Sequence, residues 1–245
     1  MTKSYAVVTG ASSGIGREAA KALAKRGHHL ILVARREAAL LSLKEDILAQ
    51  EPDLDIILRP TDLSQADQVD TLYDFISDYD LDMLLNIAGL GQSGAIVETD
   101  LVSYEQLLAV NVHATMTLSS RFAKDYAQKS AQLINVSSAV GYVIAKDNVI
   151  YSASKFFINA FTQGLANEMA DSPLQVKIFA PALTATDFIE DMGTGDLSPF
   201  IKPVNEVVAY LLQLIDSSAK IGLVNEENTF VLTDKLLPEL NSFGE

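Results

Sequence analysis

The sequence predicts a doubly wound α/β fold, in which a mainly parallel seven-stranded sheet carries helices on both faces. Short aliphatic or β-branched runs bounded by turn residues predict strands at 5–9, 29–34, 55–58, 83–86, 132–136, 176–179 and 229–232. Apolar residues at helical spacing lie between most of them, at 15–25, 37–49, 65–77, 104–126, 150–169 and 205–214. This alternation is typical of parallel strands joined by helical crossovers. Since no repeat, low-complexity tract or charged linker divides the chain, we expect a single domain over 1–245.

Composition narrows the range of partners. The formal net charge is -14 and the pI is near 4.5, so nucleic acids and anionic membranes would be repelled at long range. The absence of Cys excludes disulfides and thiolate chemistry and agrees with a reducing compartment. The N-terminus lacks the apolar segment of a signal peptide, and no apolar run reaches the roughly 18 residues of a membrane span. We therefore expect a cytoplasmic protein that binds neither nucleic acid nor membrane.

A glycine-rich turn connects the first predicted strand to the first predicted helix. It reads Thr-Gly-Ala-Ser-Ser-Gly-Ile-Gly over 9–16. Glycines let the backbone approach a pyrophosphate closely, and the N-terminus of a helix presents free N–H groups to an anion. The spacing differs from the generic G-x-G-x-x-G fingerprint, but its place after the first strand favours a dinucleotide site over a purely structural turn. The predicted contacts are Gly10, Ser12, Ser13, Gly14, Ile15 and Gly16.

The end of the second predicted strand bears on cofactor choice. Sites that select NAD place an acidic residue about 20 positions after the glycines, where it holds the ribose hydroxyls. Here the chain reads Ala34-Arg35-Arg36. Guanidinium groups favour a 2′-phosphate, so we predict NADP(H) rather than NAD(H), with Arg35 and Arg36 as contacts. Arg17 could reach the same phosphate or lie solvated at the start of its helix.

Tyr151 and Lys155 are the predicted acid/base pair. Their i, i+4 spacing places them on one face of the same helix, and an ammonium beside a phenol lowers its pKa from about 10. The spacing alone also fits a packing Tyr followed by an exposed Lys. Two further residues favour the catalytic interpretation. Ser138 lies just after a strand, where a hydroxyl can meet a substrate carbonyl, and Asn111 is a polar residue within an apolar helical stretch.

Together these motifs resemble the short-chain dehydrogenase/reductase family, in its compact single-domain branch with a Rossmann-type fold. The resemblance extends from the first strand to about Asn205. The glycine turn resembles the family's T-G-x3-G-x-G, 86–89 its N-N-A-G, and 181–186 its P-G-x3-T. Asp62 and Leu63 match its adenine-contacting pair, and its catalytic tetrad corresponds to Asn111, Ser138, Tyr151 and Lys155.

The resemblance implies an NADP(H)-dependent oxidoreductase that transfers hydride between nicotinamide and an organic carbonyl or alcohol. Tyr151 would exchange the proton, Lys155 would hold the ribose and lower the Tyr151 pKa, Ser138 would orient the carbonyl, and Asn111 would hold a water. The further cofactor contacts it implies are Asp62, Leu63, Asn86, Ala88, Gly89, Tyr151, Lys155, Pro181, Thr184 and Thr186. It also implies a homodimer or homotetramer, and no metal is expected.

Several positions depart from the family pattern or leave alternatives open. Ile87 replaces the second Asn of N-N-A-G, Ala182 replaces a Gly, and the C-terminal region diverges. We expect a substrate loop at about 187–203, and a pocket bordered by Leu90, Gln92, Val140, Tyr142, Ile144, Phe188 and Met192. The alternatives are an idle NADP(H)-sensing binding protein and an NAD-using dehydrogenase of the same fold. An extended-branch epimerase or dehydratase would need a longer C-terminal region.

Overall fold

Eight strands form one sheet in the computed structural model, which describes residues 3–143, 146–186, 201–225 and 227–235. They are β1 (Tyr5–Thr9), β2 (His29–Ala34), β3 (Ile56–Pro60), β4 (Leu81–Asn86), β5 (Ala131–Val136), β6 (Leu174–Ala180), β7 (Ile221–Val224) and β8 (Phe230–Thr233). The order across the sheet is β3-β2-β1-β4-β5-β6-β7-β8. All neighbours pair in parallel except β7 and β8. The doubly wound α/β prediction is confirmed.

The predicted number of strands was one too small. β7 was missed because it has only four residues and a glycine, Gly222, in its second position. That glycine serves packing: a Cβ there would lie 2.9 Å from Cζ of the Phe230 ring. The last predicted strand, at 229–232, corresponds to β8, which pairs antiparallel to β7. In the turn between the two strands, Asn225 N donates to Thr229 O at 2.9 Å.

Helices cover both faces of the sheet. They are α1 (Gly14–Ala24), α2 (Glu37–Leu48), α3 (Ala66–Ile76), α4 (Leu101–Leu108), α5 (Thr115–Tyr126), α6 (Val149–Glu168) and α7 (Val204–Asp216). A π-helical segment, Ala109–Ala114, joins α4 to α5, and a 3₁₀ turn, Ala139–Gly141, follows β5. Single π turns inside helices are frequent at functional sites, and this one contains Asn111. Within the described residues, no helix is both long and apolar enough to cross a membrane.

The core lies in two layers, one on each side of the sheet. Ala6 and Val8 of β1 face the layer that includes α1, α2 and α7, whereas Tyr5 and Val7 face the layer that includes α3 and α5. The strands are almost continuously apolar because both faces are covered. The chain order reverses between β1 and β4, so the carboxyl ends of β1, β2, β4, β5 and β6 border one crevice.

A buried lysine ties β6 to the end of α7. The Lys177 ammonium donates to the carbonyls of Leu214, Ile215 and Ser217 at 2.9, 3.2 and 2.7 Å. Burial lowers its pKa to about 8. The cation satisfies carbonyl groups that the C-terminus of a helix leaves without intrahelical donors. It fixes α7 against the strand that leads into 181–186.

Candidate active site

The glycine turn is packed so tightly that side chains are excluded from it. Gly10 has a φ of 71°, and a Cβ there would lie 2.9 Å from Ala88 Cα. A Cβ on Gly16 would lie 2.3 Å from the Gly10 carbonyl oxygen. Ser13 is the N-cap of α1 without a side-chain capping bond, and no acidic residue lies in the first turn. The positive end of the helix is therefore available to an anion.

Thr9 joins the glycine turn to the end of β4. Its Oγ1 accepts hydrogen bonds from the N–H groups of Ile87 and Ala88 at 2.9 and 3.0 Å and donates to Leu85 O at 3.3 Å. These bonds hold the backbone after β4 although Ile87 replaces an amide side chain, and Ile87 itself packs against the core near α1. The motifs in the sequence assign Thr9 no separate role, although a hydroxyl at the end of a buried strand indicates one.

Two arginines lie at the end of β2, beside Asp62 after β3. The Arg36 Nη2 donates to Ser12 Oγ at 3.1 Å, while Arg35 is exposed and makes no hydrogen bond or ion pair with any described residue. Arg17 is turned away from the crevice, because its guanidinium pairs with Asp46 at 2.7 Å. Asp62 Oδ1 accepts bonds from the backbone N–H and hydroxyl of Ser64 at 3.0 and 2.8 Å.

Tyr151, Lys155 and Ser138 meet on the other side of the crevice. Tyr151 and Lys155 are 4% and 5% exposed, and the Lys155 Nζ lies 5.7 Å from the centre of the Tyr151 ring. The ammonium donates to Val136 O at 3.0 Å, which orients it at the end of β5. Contrary to the expectation that Lys155 lowers the pKa of Tyr151, burial raises this pKa to about 12, and a hydrogen bond to Ser138 acts in the opposite direction. Burial lowers the pKa of Lys155 to about 8.

Asn111 supports the site from behind. Its Oδ1 accepts from Leu90 N at 2.8 Å, and its Nδ2 donates to Leu90 O at 2.9 Å and to Ser154 Oγ at 3.2 Å. One amide therefore holds both backbone groups of Leu90 and also reaches α6. Gly89 lies between, since a Cβ there would be 3.3 Å from Asn111 Oδ1 and 3.6 Å from Lys155 Nζ.

Asn86 belongs to a buried network below the strand ends. Its Nδ2 donates to Ser119 Oγ at 3.1 Å and to Asn135 Oδ1 at 2.9 Å. Ser119 also donates to Asn135 Oδ1, whose Nδ2 donates to Thr162 Oγ1 at 3.0 Å. The network links β4, β5, α5 and α6, so Asn86 braces the site from beneath.

These groups border one cleft of about 410 Å³, which we call the central cleft. It is lined by every predicted site residue except Asn86 and Asn111: Gly10, Ser12, Ser13, Gly14, Ile15, Gly16, Arg35, Arg36, Asp62, Leu63, Ala88, Gly89, Ser138, Tyr151, Lys155, Pro181, Thr184 and Thr186. Leu90 and Val140 of the predicted substrate pocket line it as well. Gln92 is absent from the lining, and Tyr142 packs against Ile178, Ala180 and Ile221. Ile144, Phe188, Met192 and most of the predicted substrate loop lie outside the described residues.

The segment after β6 closes one side of the central cleft. Pro181 O accepts from Ala139 N at 2.9 Å. The backbone of 183–185 pairs with Lys202, which donates to Leu183 O at 2.8 Å and accepts from Ala185 N at 2.9 Å. The non-glycine residues with positive φ in the described chain are Asp147 and Asn228, so Ala182 adopts an ordinary backbone conformation in place of glycine.

Comparison with known proteins identifies the family. Residues 4–196 match the model of the short chain dehydrogenase family, and the chain belongs to that family of oxidoreductases. An uncharacterized oxidoreductase of Staphylococcus saprophyticus is 32% identical over 214 residues, which cover 85% of this chain and 90% of that protein.

Solved structures agree with the family assignment. A short-chain dehydrogenase from Sphingobium yanoikuyae, in complex with NADPH, superposes with a TM-score of 0.82 at 29% identity, covering 89% of this chain and 86% of that one. A bulky-bulky ketone specific alcohol dehydrogenase from Comamonas testosteroni has a TM-score of 0.78 at 30% identity, covering 90% and 86%.

The packing at Gly16 gives a first prediction. Gly16→Ala places a methyl group against the Gly10 carbonyl, so we expect the free energy of unfolding to fall by about 2 kcal/mol and NADPH binding to weaken at least about 10-fold. The control is Gly164→Ala in α6, where a Cβ meets nothing within 4 Å and helix propensity favours alanine. Chemical denaturation and NADPH fluorescence titration measure both effects. Equal NADPH affinity in the two variants would contradict the close-approach role of Gly16.

Proposed function

We propose that the protein is an NADP(H)-dependent oxidoreductase that interconverts an organic carbonyl and the corresponding alcohol. One observation carries the proposal: Tyr151, Lys155 and Ser138 lie together at one end of a cleft whose other end carries Arg35 and Arg36. The NADPH complex of the Sphingobium yanoikuyae relative supports the same cofactor for this chain.

The residues of the central cleft fit a dinucleotide. The glycine turn leaves no Cβ between its backbone and the cleft, and the start of α1 is free of acidic side chains. These features suit a pyrophosphate. Arg35 has no competing partner among the described residues and suits a 2′-phosphate, while Asp62 and Leu63 border the predicted adenine site. Asn86, predicted as a contact, is proposed as a bracing residue instead.

The bound nicotinamide supplies or accepts the hydride. Tyr151 donates its phenolic proton to the carbonyl oxygen during reduction and takes it back from the alcohol during oxidation. Ser138, which already bonds to Tyr151, orients the same oxygen. Lys155 places a positive charge beside the phenol and stabilises the phenolate that remains after proton transfer. Asn111 fixes Leu90 and α6, and thereby the walls on either side of the reacting oxygen.

Burial determines which protonation states are present before substrate binds. A phenol with a pKa of about 12 is protonated at neutral pH, so Tyr151 is ready to act as an acid. Lys155, with a pKa of about 8, is mostly charged at pH 7. Near neutral pH the site therefore holds the protonated phenol and the ammonium that carbonyl reduction requires.

Replacing the proposed acid tests the function. Tyr151→Phe removes the proton donor and keeps the ring, so we expect kcat for NADPH-dependent ketone reduction to fall at least about 1,000-fold while NADPH affinity changes less than about 3-fold. Steady-state NADPH oxidation and fluorescence titration measure the two quantities. Tyr104→Phe, a buried tyrosine outside the cleft lining, serves as the control. Wild-type turnover in Tyr151→Phe would overturn the acid role, and tight NADPH binding without turnover by the wild type would favour the binding-protein alternative.

The pKa of Lys155 predicts a pH profile. Because burial lowers this pKa to about 8, the ammonium is present below that pH and is lost as the pH rises through it. We therefore expect kcat/KM for reduction to fall above about pH 8. Lys155→Arg keeps a positive charge at all accessible pH values, so its activity, although lower, should not fall near pH 8. A wild-type profile that stays flat to pH 9.5 would contradict the role of the ammonium.

Cofactor selectivity rests on Arg35. Arg35→Asp replaces a cation near the proposed 2′-phosphate with an anion, so we expect kcat/KM for NADPH to fall about 30-fold or more and that for NADH to change little. Arg17→Ala is the matched control, since Arg17 pairs with Asp46 away from the cleft. Equal losses for NADPH and NADH in Arg35→Asp would remove the 2′-phosphate role.

The oligomeric state stays a prediction. Exposed apolar side chains on α4 and α6, Leu101, Val102, Leu108, Val149 and Phe156, support a homodimer or homotetramer. The cytoplasmic location likewise rests on the sequence.

A further inference from the structure

The part of the central cleft that faces Tyr151 is apolar. Leu90 and Val140 pack around Tyr151 together with Leu107 and Ile150. The nearby lining adds Gly91, Val110 and Leu183. Beside the reacting groups the lining also includes Ser137, whose hydroxyl donates to Lys155 O at 3.3 Å.

The cationic side chains that line the cleft either lie far from Tyr151 or are already hydrogen-bonded. The charged residues that line it in the described chain are Arg35, Arg36, Asp62 and Lys155. The first three follow β2 and β3, at least three strand spacings from β5, which is roughly 14 Å. Lys155 donates to Val136 O and stands beside Tyr151. No described cation is therefore left to pair with an anionic group of a substrate.

Neither of the neighbouring lysines, Lys146 and Lys202, belongs to the cleft lining. Lys146 is exposed to solvent on the loop after the 3₁₀ turn. Lys202, which follows the segment that closes the cleft, pairs with Glu206 at 2.7 Å. The sequence over 187–200 contains Asp187, Glu190, Asp191 and Asp196 and neither Lys nor Arg. The net charge of -14 on the chain repels an anionic substrate at long range, and, unlike the proposed cofactor, such a substrate finds no guanidinium near Tyr151.

Two joined loops that begin at the cleft lining, after Gly91 and after Val140, carry exposed apolar side chains. The loop after Gly91 and the loop after the 3₁₀ turn are tied by bonds to Asp147 O from Gly94 N at 2.7 Å and from Ser93 Oγ at 3.2 Å. Ile96, Val97 and Val143 on these loops are 50%, 89% and 44% exposed. Exposed apolar groups at the edge of a cleft mark a surface that binds apolar ligands.

We infer that the substrate is an uncharged ketone with apolar substituents, and that carbonyl compounds bearing a carboxylate or phosphate are excluded. The inference rests on the proposed function. A carboxylate near Tyr151 would lose its hydration without gaining a cation or a set of hydrogen-bond donors in return. An apolar substituent gains by leaving water at the same surface.

Matched ketones test the charge preference. Methyl 4-acetylbenzoate and 4-acetylbenzoate present the same ketone on the same ring, and a second pair consists of ethyl acetoacetate and acetoacetate. With the full chain and NADPH at pH 7, we expect kcat/KM for each ester to exceed that for its acid by at least about 100-fold, or 2.7 kcal/mol. Ratios near one, or preference for the acids, would overturn the inference alone. NADPH binding without reduction of any compound in a broad neutral and anionic ketone panel would overturn the proposed function and the inference together.

A positive charge introduced into the apolar wall provides a second measurement. Val140→Lys puts an ammonium into the apolar wall, so its ester-to-acid ratio should fall about 10-fold relative to the wild type, while Val140→Met, which adds length without charge, should keep the wild-type ratio. Retained NADPH affinity shows that each variant is folded. An unchanged ratio in a folded Val140→Lys would contradict the placement of the substrate against Val140, and the wild-type ratios decide the inference if that variant does not fold.

Discussion

The arrangement of the groups that border the central cleft depends on the contact between β1 and β4, the two strands where the chain order reverses. Their carboxyl ends are joined by Thr9, which satisfies the N–H groups of Ile87 and Ala88. Gly10 then passes against Ala88 at a distance that no side chain would allow. This contact places an anion-binding turn beside the backbone of 88–90. Asn111 and Lys155 adjoin this backbone, since a Cβ on Gly89 would lie 3.3 Å from Asn111 Oδ1 and 3.6 Å from Lys155 Nζ. The parts of the site proposed to bind phosphate and to transfer the proton therefore share one support.

Two buried lysines lose solvation in the same way but have different roles. Burial lowers the pKa of both Lys155 and Lys177 to about 8, so each is held at a cost in solvation. Lys177 offsets that cost with three carbonyl acceptors at the end of α7 and acts in the architecture. Among the described residues Lys155 has one hydrogen-bond acceptor, Val136 O, and it faces the cleft. Unused hydrogen-bonding capacity on a buried ammonium is expected where a ligand supplies the remaining partners.

Sequence periodicity predicted the helices and seven of the eight strands because both layers of the core impose regular apolar spacing. β7 escaped prediction because four residues with a glycine carry too little pattern, and its glycine is explained only by the distant Phe230 ring. Motifs located Tyr151, Lys155 and the glycine turn. They did not show that Arg17 turns towards Asp46, or that Asn86 joins Ser119 and Asn135. Such choices depend on residues 29 to 49 positions away along the chain, which no local pattern encodes.

The distribution of charge within the cleft is the step that links architecture to chemistry. The chain as a whole is strongly acidic, yet Arg35 and Arg36 stand together at the end of the cleft where a doubly charged phosphate is proposed to bind. The opposite end has Tyr151 and Lys155 in apolar surroundings, where low dielectric strengthens the effect of the ammonium on the phenol. A second anion there would compete with the phenolate for that ammonium and raise the cost of forming it. In the proposed function, separating the cationic end from the apolar end lets one cleft hold a highly charged cofactor and still keep the charge of Lys155 for proton transfer.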